Sequence, residues 1–166
     1  MPYHLRRATV DDIEALVHHR TAMFSEMGVE GDYPAMELAF ADWLRETIPT
    51  EVYRTWVVCA DGGEIVAGCG MVLHVKAPAP QSQLTQSAYV YNVYVEHEHR
   101  QRGLARKLME AIHDWCRSSG IQQVSLHAST FGRHLYESMG YEATNEMRIR
   151  LNDGGQVLHG PSDGIG

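Results

Sequence analysis

The chain has 166 residues, of which 44% are apolar and 21% are charged, and its formal net charge is -7. This length is enough for one globular domain with a buried core. The 14 basic side chains against 21 acidic ones argue against a broad nucleic-acid-binding surface, which requires clustered positive charge, although a small basic patch is compatible with them.

The N-terminal residues and the cysteines indicate the compartment. Arg6 and Arg7 are not followed by the apolar run of a signal peptide, and no segment is apolar enough to span a membrane. Cys59, Cys69 and Cys116 are an odd number of cysteines without C-x-x-C spacing. We therefore expect a cytoplasmic protein that has buried, reduced thiols and neither a metal site nor a membrane contact.

Hydrophobic periodicity and turn residues predict the secondary structure along the chain. Thr9 and Asp12 have the spacing of a capping box, so a helix begins behind them. Asp61-Gly62-Gly63 between two apolar runs predicts a β-hairpin. The predicted elements are a strand at 3–8, helices at 13–28 and 33–48, strands at 55–60, 65–75 and 89–95, a helix at 104–119, a strand at 124–128, a helix at 131–139 and a strand at 147–151.

The order of these elements predicts a mixed α/β fold. The alternation of strand and helix after residue 89 favours a sheet that is mixed in direction and has helices on both faces. Residues 76–86 contain Pro, Gln and Ser and are expected to form a surface loop. The Gly-rich residues 152–166 are expected to be a flexible tail.

One segment stands out from this background. A predicted strand ends at residues 92–95 and is followed by a polar turn at 96–99. The next residues, 100–106, begin a helix and have the sequence Arg-Gln-Arg-Gly-Leu-Ala-Arg. Small residues at a helix start let a ligand approach the backbone, and the exposed N–H groups favour a phosphate. The arginines add positive charge, so a pyrophosphate site is indicated. The alternative is that Gly103 only begins a helix and the arginines are solvated. Neither the Walker pattern nor G-x-G-x-x-G is present.

Residues 100–105 resemble the Arg/Gln-x-x-Gly-x-Gly/Ala motif of the GNAT superfamily, the acyl-CoA-dependent N-acyltransferases. The run Leu-Tyr-Glu-Ser-Met-Gly-Tyr over residues 135–141 is similar to the family's closing Leu-Tyr-x-x-x-Gly-Phe/Tyr element. The order of the elements matches as well. This resemblance implies one GNAT-like domain over residues 1–151, whose twisted, mostly antiparallel sheet is splayed at a cofactor slot, with residues 152–166 as its tail.

The resemblance also implies roles for individual residues. The backbone of residues 93–95 would bind pantetheine and the acetyl group, and the turn with the following helix start would bind the pyrophosphate. Ser129 stands where many members have Asn, and Gly132 is expected to leave room for the cofactor. The implied cofactor-binding residues are Val93, Tyr94, Val95, Arg100, Gln101, Arg102, Gly103, Leu104, Ala105, Arg106, Ser129, Gly132 and Tyr136.

Proton transfer at the site needs an acid and a base. Tyr136 matches the tyrosine that protonates the departing thiolate in this family. A phenol is a reasonable proton donor because its ordinary pKa is higher than that of a thiol. The alternative is a tyrosine that only packs at a helix end. His127 is the candidate base, and a structural histidine is the alternative. The polar turn at 96–99 offers other candidates, Tyr89, Tyr91 and Asn92 could face the acceptor, and a water-mediated route needs no single base.

The resemblance implies that the acceptor contacts about residues 24–43 and 76–86, which are the first two helices and a variable loop. Glu26, Glu30, Asp32 and Glu37 make the first of these regions acidic, which would attract a cationic amine, although an ordinary pair of amphipathic helices gives the same pattern. We therefore expect an acetyl-CoA-dependent N-acetyltransferase that acts directly on a primary amine of a small molecule, a peptide or a protein, without a metal. The alternative is a non-catalytic acyl-CoA-binding module of the same fold. A homodimer is compatible with the sequence.

Overall fold

The computed structural model describes residues 2–151. It contains two compact units, of which the first ends at Leu126 and the second begins at His127. The elements are β1 (His4–Arg7), α1 (Ile13–Glu26), α2 (Tyr33–Thr47), β2 (Tyr53–Cys59), β3 (Ile65–Val75), β4 (Gln86–Val95), α3 (Leu104–Ser118), β5 (Val124–Leu126) and α4 (Arg133–Ser138), with 3-10 turns at Val10–Asp12 and His97–His99.

The first unit contains a five-stranded sheet in the order β1-β2-β3-β4-β5. The neighbouring strands from β1 to β4 are antiparallel, and β4 and β5 are parallel. Helix α3 connects these two parallel strands, as a parallel crossover requires. The predicted mixed, mostly antiparallel sheet is thus confirmed.

The start of α1 follows from the residues before it. The Thr9 side chain and the Asp12 carboxylate form the predicted capping box around the 3-10 turn Val10–Asp12, which leads into α1. The two carboxylate oxygens of Asp12 also accept hydrogen bonds from Arg6 on β1 at 2.8 and 2.9 Å. Because Asp12 is buried, these bonds compensate for its lost hydration and hold the pKa of its carboxyl below the ordinary value. They fix the first turn of the helix to the edge strand.

Helices cover both faces of the sheet, as the sequence predicts. Gly68 of β3 lies close to the His19 ring of α1, whereas the Sγ of the adjacent Cys69 lies 3.9 Å from the Leu108 carbonyl of α3. Successive strand residues point to opposite faces, so α1 and α3 lie on opposite sides of β3. The α1 face continues into an apolar cluster with α2 that includes Leu16, Phe40, Leu44, Tyr53 and Val57.

The three cysteines have the environment that the sequence predicts. Cys59, Cys69 and Cys116 are free and buried, which confirms the expected reduced thiols. Burial raises the pKa of the Cys69 thiol, which keeps it protonated at neutral pH. Among residues 2–151, no helix is long and apolar enough to cross a membrane.

The second unit contains α4, and the last strand predicted from the sequence differs from the structure there. The strand predicted at 147–151 is not formed over residues 147–150, which have neither helix nor strand, and Leu151 makes only a single β-bridge. Met147 and Ile149 are exposed instead of buried. Alternating apolar residues form a strand only where a neighbouring strand completes their hydrogen bonds, and the pattern alone cannot supply that neighbour. The predicted tail at 152–166 lies outside the described residues.

Candidate active site

A bulge in β4 lies where the sequence predicts the cofactor strand. The register of β3 against β4 shifts between Gly68 and Gly70, so Asn92 and Val93 together lie opposite a single residue. Asn92 has a φ of 60°, in the left-handed region that asparagine tolerates better than most residues. Its side chain donates a hydrogen bond to the buried Tyr53 hydroxyl at 2.8 Å. The bulge therefore directs Asn92 to the face of the sheet that carries α1 and α2.

One edge of β4 is open beyond this bulge. β4 pairs with β5 only as far as Val90, and among residues 2–126 no strand continues the pairing on that edge. The Glu96 N–H donates to the Val66 carbonyl on β3 at 2.8 Å, so by alternation the N–H and C=O of Val95 point to the open edge. An extended amide chain can pair with an edge of this kind, which lies where the sequence predicts the cofactor slot.

The loop after β4 ends in a left-handed turn at the start of α3. Gln101 has a φ of 60° and Gly103, the residue that caps α3, has a φ of 75°. A Cβ at Gly103 would meet no described atom within 4 Å, so the backbone there is accessible. The first N–H groups of a helix have no partners within the helix, and its dipole favours an anion. This stretch fits the phosphates of an acyl-CoA.

The side chains of this loop divide into buried and exposed ones. Leu104 is buried in the core below the helix start, so only its backbone can face a ligand. Ala105 is half-buried and adds little bulk to the first turn of α3. Arg102 and Arg106 are exposed, with their charges on the surface of the loop and the helix start.

Arg100 has a different environment from the other two arginines. Its Nη2 donates to both oxygens of Glu26, at 3.0 and 2.8 Å, and its Nε donates to the Val95 carbonyl at 2.9 Å. Burial lowers the pKa of Arg100, but the bonds to Glu26 outweigh that effect and raise it above the ordinary value. The structure thus shows Arg100 bound between the last residue of α1 and the open edge of β4.

The second unit places three predicted residues together. Tyr136 is buried in α4, and a Cβ at Gly132 would lie 2.8 Å from its ring. The Ser129 hydroxyl accepts a hydrogen bond from the Gly132 N–H at 3.1 Å, at the start of the helix. The missing Gly132 side chain therefore leaves space that the tyrosine ring lies against. Cofactor contacts by Ser129, Gly132 and Tyr136 stay predictions.

His127 lies in the same unit and contacts Arg148. The guanidinium of Arg148 lies within hydrogen-bond distance of the His127 Nε2, and it can only donate, so this nitrogen is the acceptor. Burial and then the charge of Arg148 lower the pKa of His127 below its ordinary value. The ring is therefore neutral at pH 7, as a base must be, but the lone pair on Nε2 is engaged. Its role as the base stays a prediction.

The face of the sheet beneath α1 and α2 carries a polar cluster that the sequence did not predict. Arg20 of α1 donates to the Asn92 amide oxygen and lies over the rings of Phe24 and Phe40, 4.7 and 5.0 Å from their centroids. Burial lowers the pKa of Arg20 below its ordinary value. Tyr53 completes the cluster through its bond with Asn92. The available signal was a charged residue on the apolar stripe of a predicted helix.

The acidic residues of the expected acceptor region have partners within the protein. Glu26 accepts bonds from Arg100, and the Asp32 side chain accepts a bond from the N–H of Ala35 at the start of α2. Glu37 accepts a bond from the Thr21 hydroxyl at 2.9 Å. These carboxylates join α1, α2 and the loop after β4, which weakens the interpretation of the region as a site for a cationic amine. Glu30 is exposed, as are Glu26 and Asp32.

A buried histidine lies next to the end of β4. The His19 ring is 2% exposed and lies 5.2 Å from the Tyr94 ring, and its Nε2 is 3.6 Å from a Glu96 oxygen. The same Glu96 oxygen is 2.9 Å from the His18 Nε2. Burial, and then the charge of His18, lower the pKa of His19 to about 4. His19 is therefore neutral at physiological pH and packs as a core residue.

Known structures with the same architecture define the fold class. A GCN5-related N-acetyltransferase from Ralstonia eutropha JMP134 matches with a TM-score of 0.83 and 34% identity, over 89% of this chain and 97% of that one. A predicted acetyltransferase from Clostridium acetobutylicum, solved with acetyl-CoA, matches with a TM-score of 0.82 over 91% of this chain and 96% of that one. Its identity is 21%, so this second match supports the fold alone. The fold is that of the GNAT N-acetyltransferases.

The sequence comparisons identify the family. The family model described as the acetyltransferase (GNAT) domain matches residues 51–143. N-acetyltransferase Eis from Mycobacterium tuberculosis is 30% identical over 124 residues, which is 68% of this chain and 30% of Eis. The uncharacterized N-acetyltransferase YycN from Bacillus subtilis is 28% identical over 109 residues, which is 64% of this chain and 66% of YycN. The chain spans less than two thirds of the length of both relatives. It belongs to the GNAT acetyltransferase family.

Proposed function

We propose that this protein is an acetyl-CoA-dependent N-acetyltransferase that transfers the acetyl group directly to a primary amine of a small molecule or a peptide. The observation that carries the proposal is the open edge of β4, which leads directly into the left-handed turn at Gly103. An extended pantetheine amide chain and a pyrophosphate need these two features side by side. Family membership and the acetyl-CoA bound to the Clostridium neighbour support the choice of cofactor.

The chain's own groups would hold the cofactor along this path. The backbone of residues 93–95 would pair with the pantetheine amides at the open edge. The N–H groups of residues 101–106 would bind the phosphates, with the charges of Arg102 and Arg106 beside them. When bound, acetyl-CoA supplies an acetyl group that is activated as a thioester.

Two proton transfers belong to the chain's side chains in this proposal. Tyr136 would hold at its hydroxyl the proton that the departing thiolate takes up. The ammonium form of the acceptor must lose a proton before its nitrogen can attack, and His127 would accept it at Nε2 once Arg148 releases that nitrogen. Because the three cysteines are buried, they offer no accessible nucleophile for a covalent acyl-enzyme route, which favours direct transfer.

The acceptor would approach over the face of the sheet that carries α1 and α2. The rings of Tyr89 and Tyr91 lie 5.0 Å apart on this face, and Asn92 follows them at the bulge.

We propose that residues 1–151 act together as one GNAT domain. The cytoplasmic location and the homodimer stay predictions.

Thiol release from acetyl-CoA tests the proposal. The protein is incubated with acetyl-CoA and a panel of primary amines, including small polyamines, amino sugars and peptides, and each amine is matched by its tertiary-amine analogue. We expect release of CoA with at least one primary amine and none with its tertiary analogue, which cannot form a stable amide. Tight CoA binding without turnover on any amine would contradict the enzyme and support the non-catalytic acyl-CoA-binding module.

A further inference from the structure

Arg100 opens the family-like motif, but its side chain is turned away from the rest of the cofactor loop. Its guanidinium lies over the Tyr94 ring, 5.4 Å from the centroid, and reaches Glu26 at the C-terminal end of α1. Its Nε donates to the Val95 carbonyl, which is one of the groups on the open edge of β4. Arg100 therefore connects α1 to the strand that is expected to bind pantetheine.

The Glu26 carboxylate binds both Tyr94 and Arg100. It accepts hydrogen bonds from the Tyr94 hydroxyl at 3.0 Å and from Arg100 at 2.8 and 3.0 Å. Burial and then the bond to Glu26 raise the pKa of Tyr94 to about 12, so the phenol stays a hydrogen-bond donor. We call these three residues, Glu26, Tyr94 and Arg100, the α1–β4 clasp. The charge of Arg100 is compensated within the clasp by a carboxylate in direct contact.

We infer that Arg100 is a positioning residue, which holds the end of β4 and the cofactor loop against α1, and that its charge does not bind the cofactor phosphates. The inference rests on the proposed acetyl-CoA site. In this arrangement Glu26 assists cofactor binding, although it is an anion near a site for an anionic ligand. If Arg100 instead bound phosphate, Glu26 would compete with the cofactor for it. The two alternatives predict opposite effects when the Glu26 charge is removed.

The affinity for CoA, measured by isothermal titration calorimetry, separates them. Glu26→Gln should weaken CoA binding about 10-fold, because a charge-assisted bond to Arg100 is lost and β4 is no longer held. Glu14→Gln removes the same charge from an exposed position of the same helix and is the matched control, with no weakening expected. Tighter CoA binding by Glu26→Gln would overturn the inference.

Substitutions of Arg100 provide the second arm. Arg100→Lys keeps the charge but loses the planar guanidinium that contacts Glu26 and the Val95 carbonyl together, so it should weaken CoA binding as much as Arg100→Gln does. The combined Glu26→Gln/Arg100→Gln variant should bind no more weakly than either single variant, since both remove the same contact. Parent-like binding by Arg100→Lys would overturn the inference even if the Glu26 variant does not fold.

Ionic strength gives a readout that a merely structural defect would not change. When a charge that binds phosphate is removed, the affinity for CoA depends less on the salt concentration. We expect this reduced salt dependence for Arg102→Gln. Arg100→Gln should keep the salt dependence of the parent protein. A reduced salt dependence in Arg100→Gln would contradict the positioning role. If the parent protein does not bind CoA, the proposed function is wrong. If the parent binds CoA and the variants give the contradicting results above, only the role of the α1–β4 clasp is wrong.

Discussion

At the level of single residues, α4 shows how a small side chain can position a large one. The Tyr136 ring occupies the space beside Gly132 and also contacts the Tyr141 ring, with centroids 5.8 Å apart. The tyrosine is buried, so its ring has a fixed position. A hydroxyl on such a ring suits a defined proton transfer, since the side chain loses little freedom when it acts.

Replacement of Tyr136 by Phe tests this role. The variant removes the hydroxyl and keeps the ring, so turnover should fall about 100-fold while the affinity for CoA changes little. Steady-state kinetics at saturating acetyl-CoA, with calorimetry for CoA binding, measures both quantities. Tyr141→Phe is the control for the loss of a neighbouring hydroxyl. Turnover of Tyr136→Phe equal to that of the parent would show that the tyrosine is not the acid.

Gly103 offers a second test at this scale. Gly103→Glu puts a negative charge into the predicted phosphate site and should weaken CoA binding at least about 10-fold, because like charges repel strongly at short range. Gly120→Glu is the matched control, since Gly120 lies beyond the other end of α3 with a φ of 74° and, like Gly103, has no described atom near its missing Cβ. Both variants carry similar backbone strain. Equal CoA affinities of two folded variants would refute the phosphate site.

At the level of elements, β3 accommodates α1 and the Tyr53 ring because it contains glycines. A Cβ at Gly70 would lie 2.0 Å from the Tyr53 ring, and a Cβ at Gly68 would lie 3.2 Å from the Nδ1 of His19. The Tyr53 ring in turn supports Asn92 at the bulge of β4. The packing of these elements thus determines the shape of the face that the acceptor would approach.

Gly70→Ala should therefore destabilise the protein strongly. The new methyl group overlaps a fully buried ring in a strand that has no room to move, and we expect a loss of about 3 kcal/mol in the free energy of unfolding. Gly62→Ala, in the turn between β2 and β3, meets no described atom within 4 Å and should change this free energy by less than about 0.5 kcal/mol. Urea denaturation of both variants measures the difference. Similar stabilities would contradict the packing described for Tyr53.

The elements also show what the sequence could predict. The period of apolar residues is local, so it predicted the hairpin of β2 and β3 and the amphipathic α3. The motif residues predict a cofactor loop before α3, and the contacts of this loop with CoA stay a prediction. The strand at 147–151 was wrong because pairing depends on a neighbour that the pattern does not contain. The turn of Arg100 toward Glu26 and the meeting of Arg20 with Asn92 could not be predicted, since each joins residues far apart in sequence.

At the level of the whole molecule, the net charge of -7 is not a uniform surface property. Asp12 and Glu26 are paired with arginines, and Glu96 contacts His18, so part of the acidic excess is used to join elements. His19 is the exception within this network, because it is buried without a charge. Its folded-state pKa of about 4 lies well below the ordinary 6.5.

This difference predicts how stability depends on pH. The unfolded chain protonates His19 more readily than the folded protein does, so the stability that His19 contributes is complete above pH 6.5 and is lost as the pH falls toward 4. The loss is about 3 kcal/mol. His19→Leu should show a smaller decrease of the unfolding free energy over this range, whereas His97→Leu, at an exposed position, should match the parent. Equal pH dependence in His19→Leu and the parent would contradict a neutral buried ring.

In the proposed function, CoA binds along the open edge of β4 and the start of α3. Amide hydrogen exchange of the protein with and without CoA tests it most directly, because it reports on the backbone groups themselves. We predict slower exchange on CoA binding at the amides of residues 93–95 and 101–106. CoA binding that leaves both segments exchanging at their unliganded rates would contradict the account.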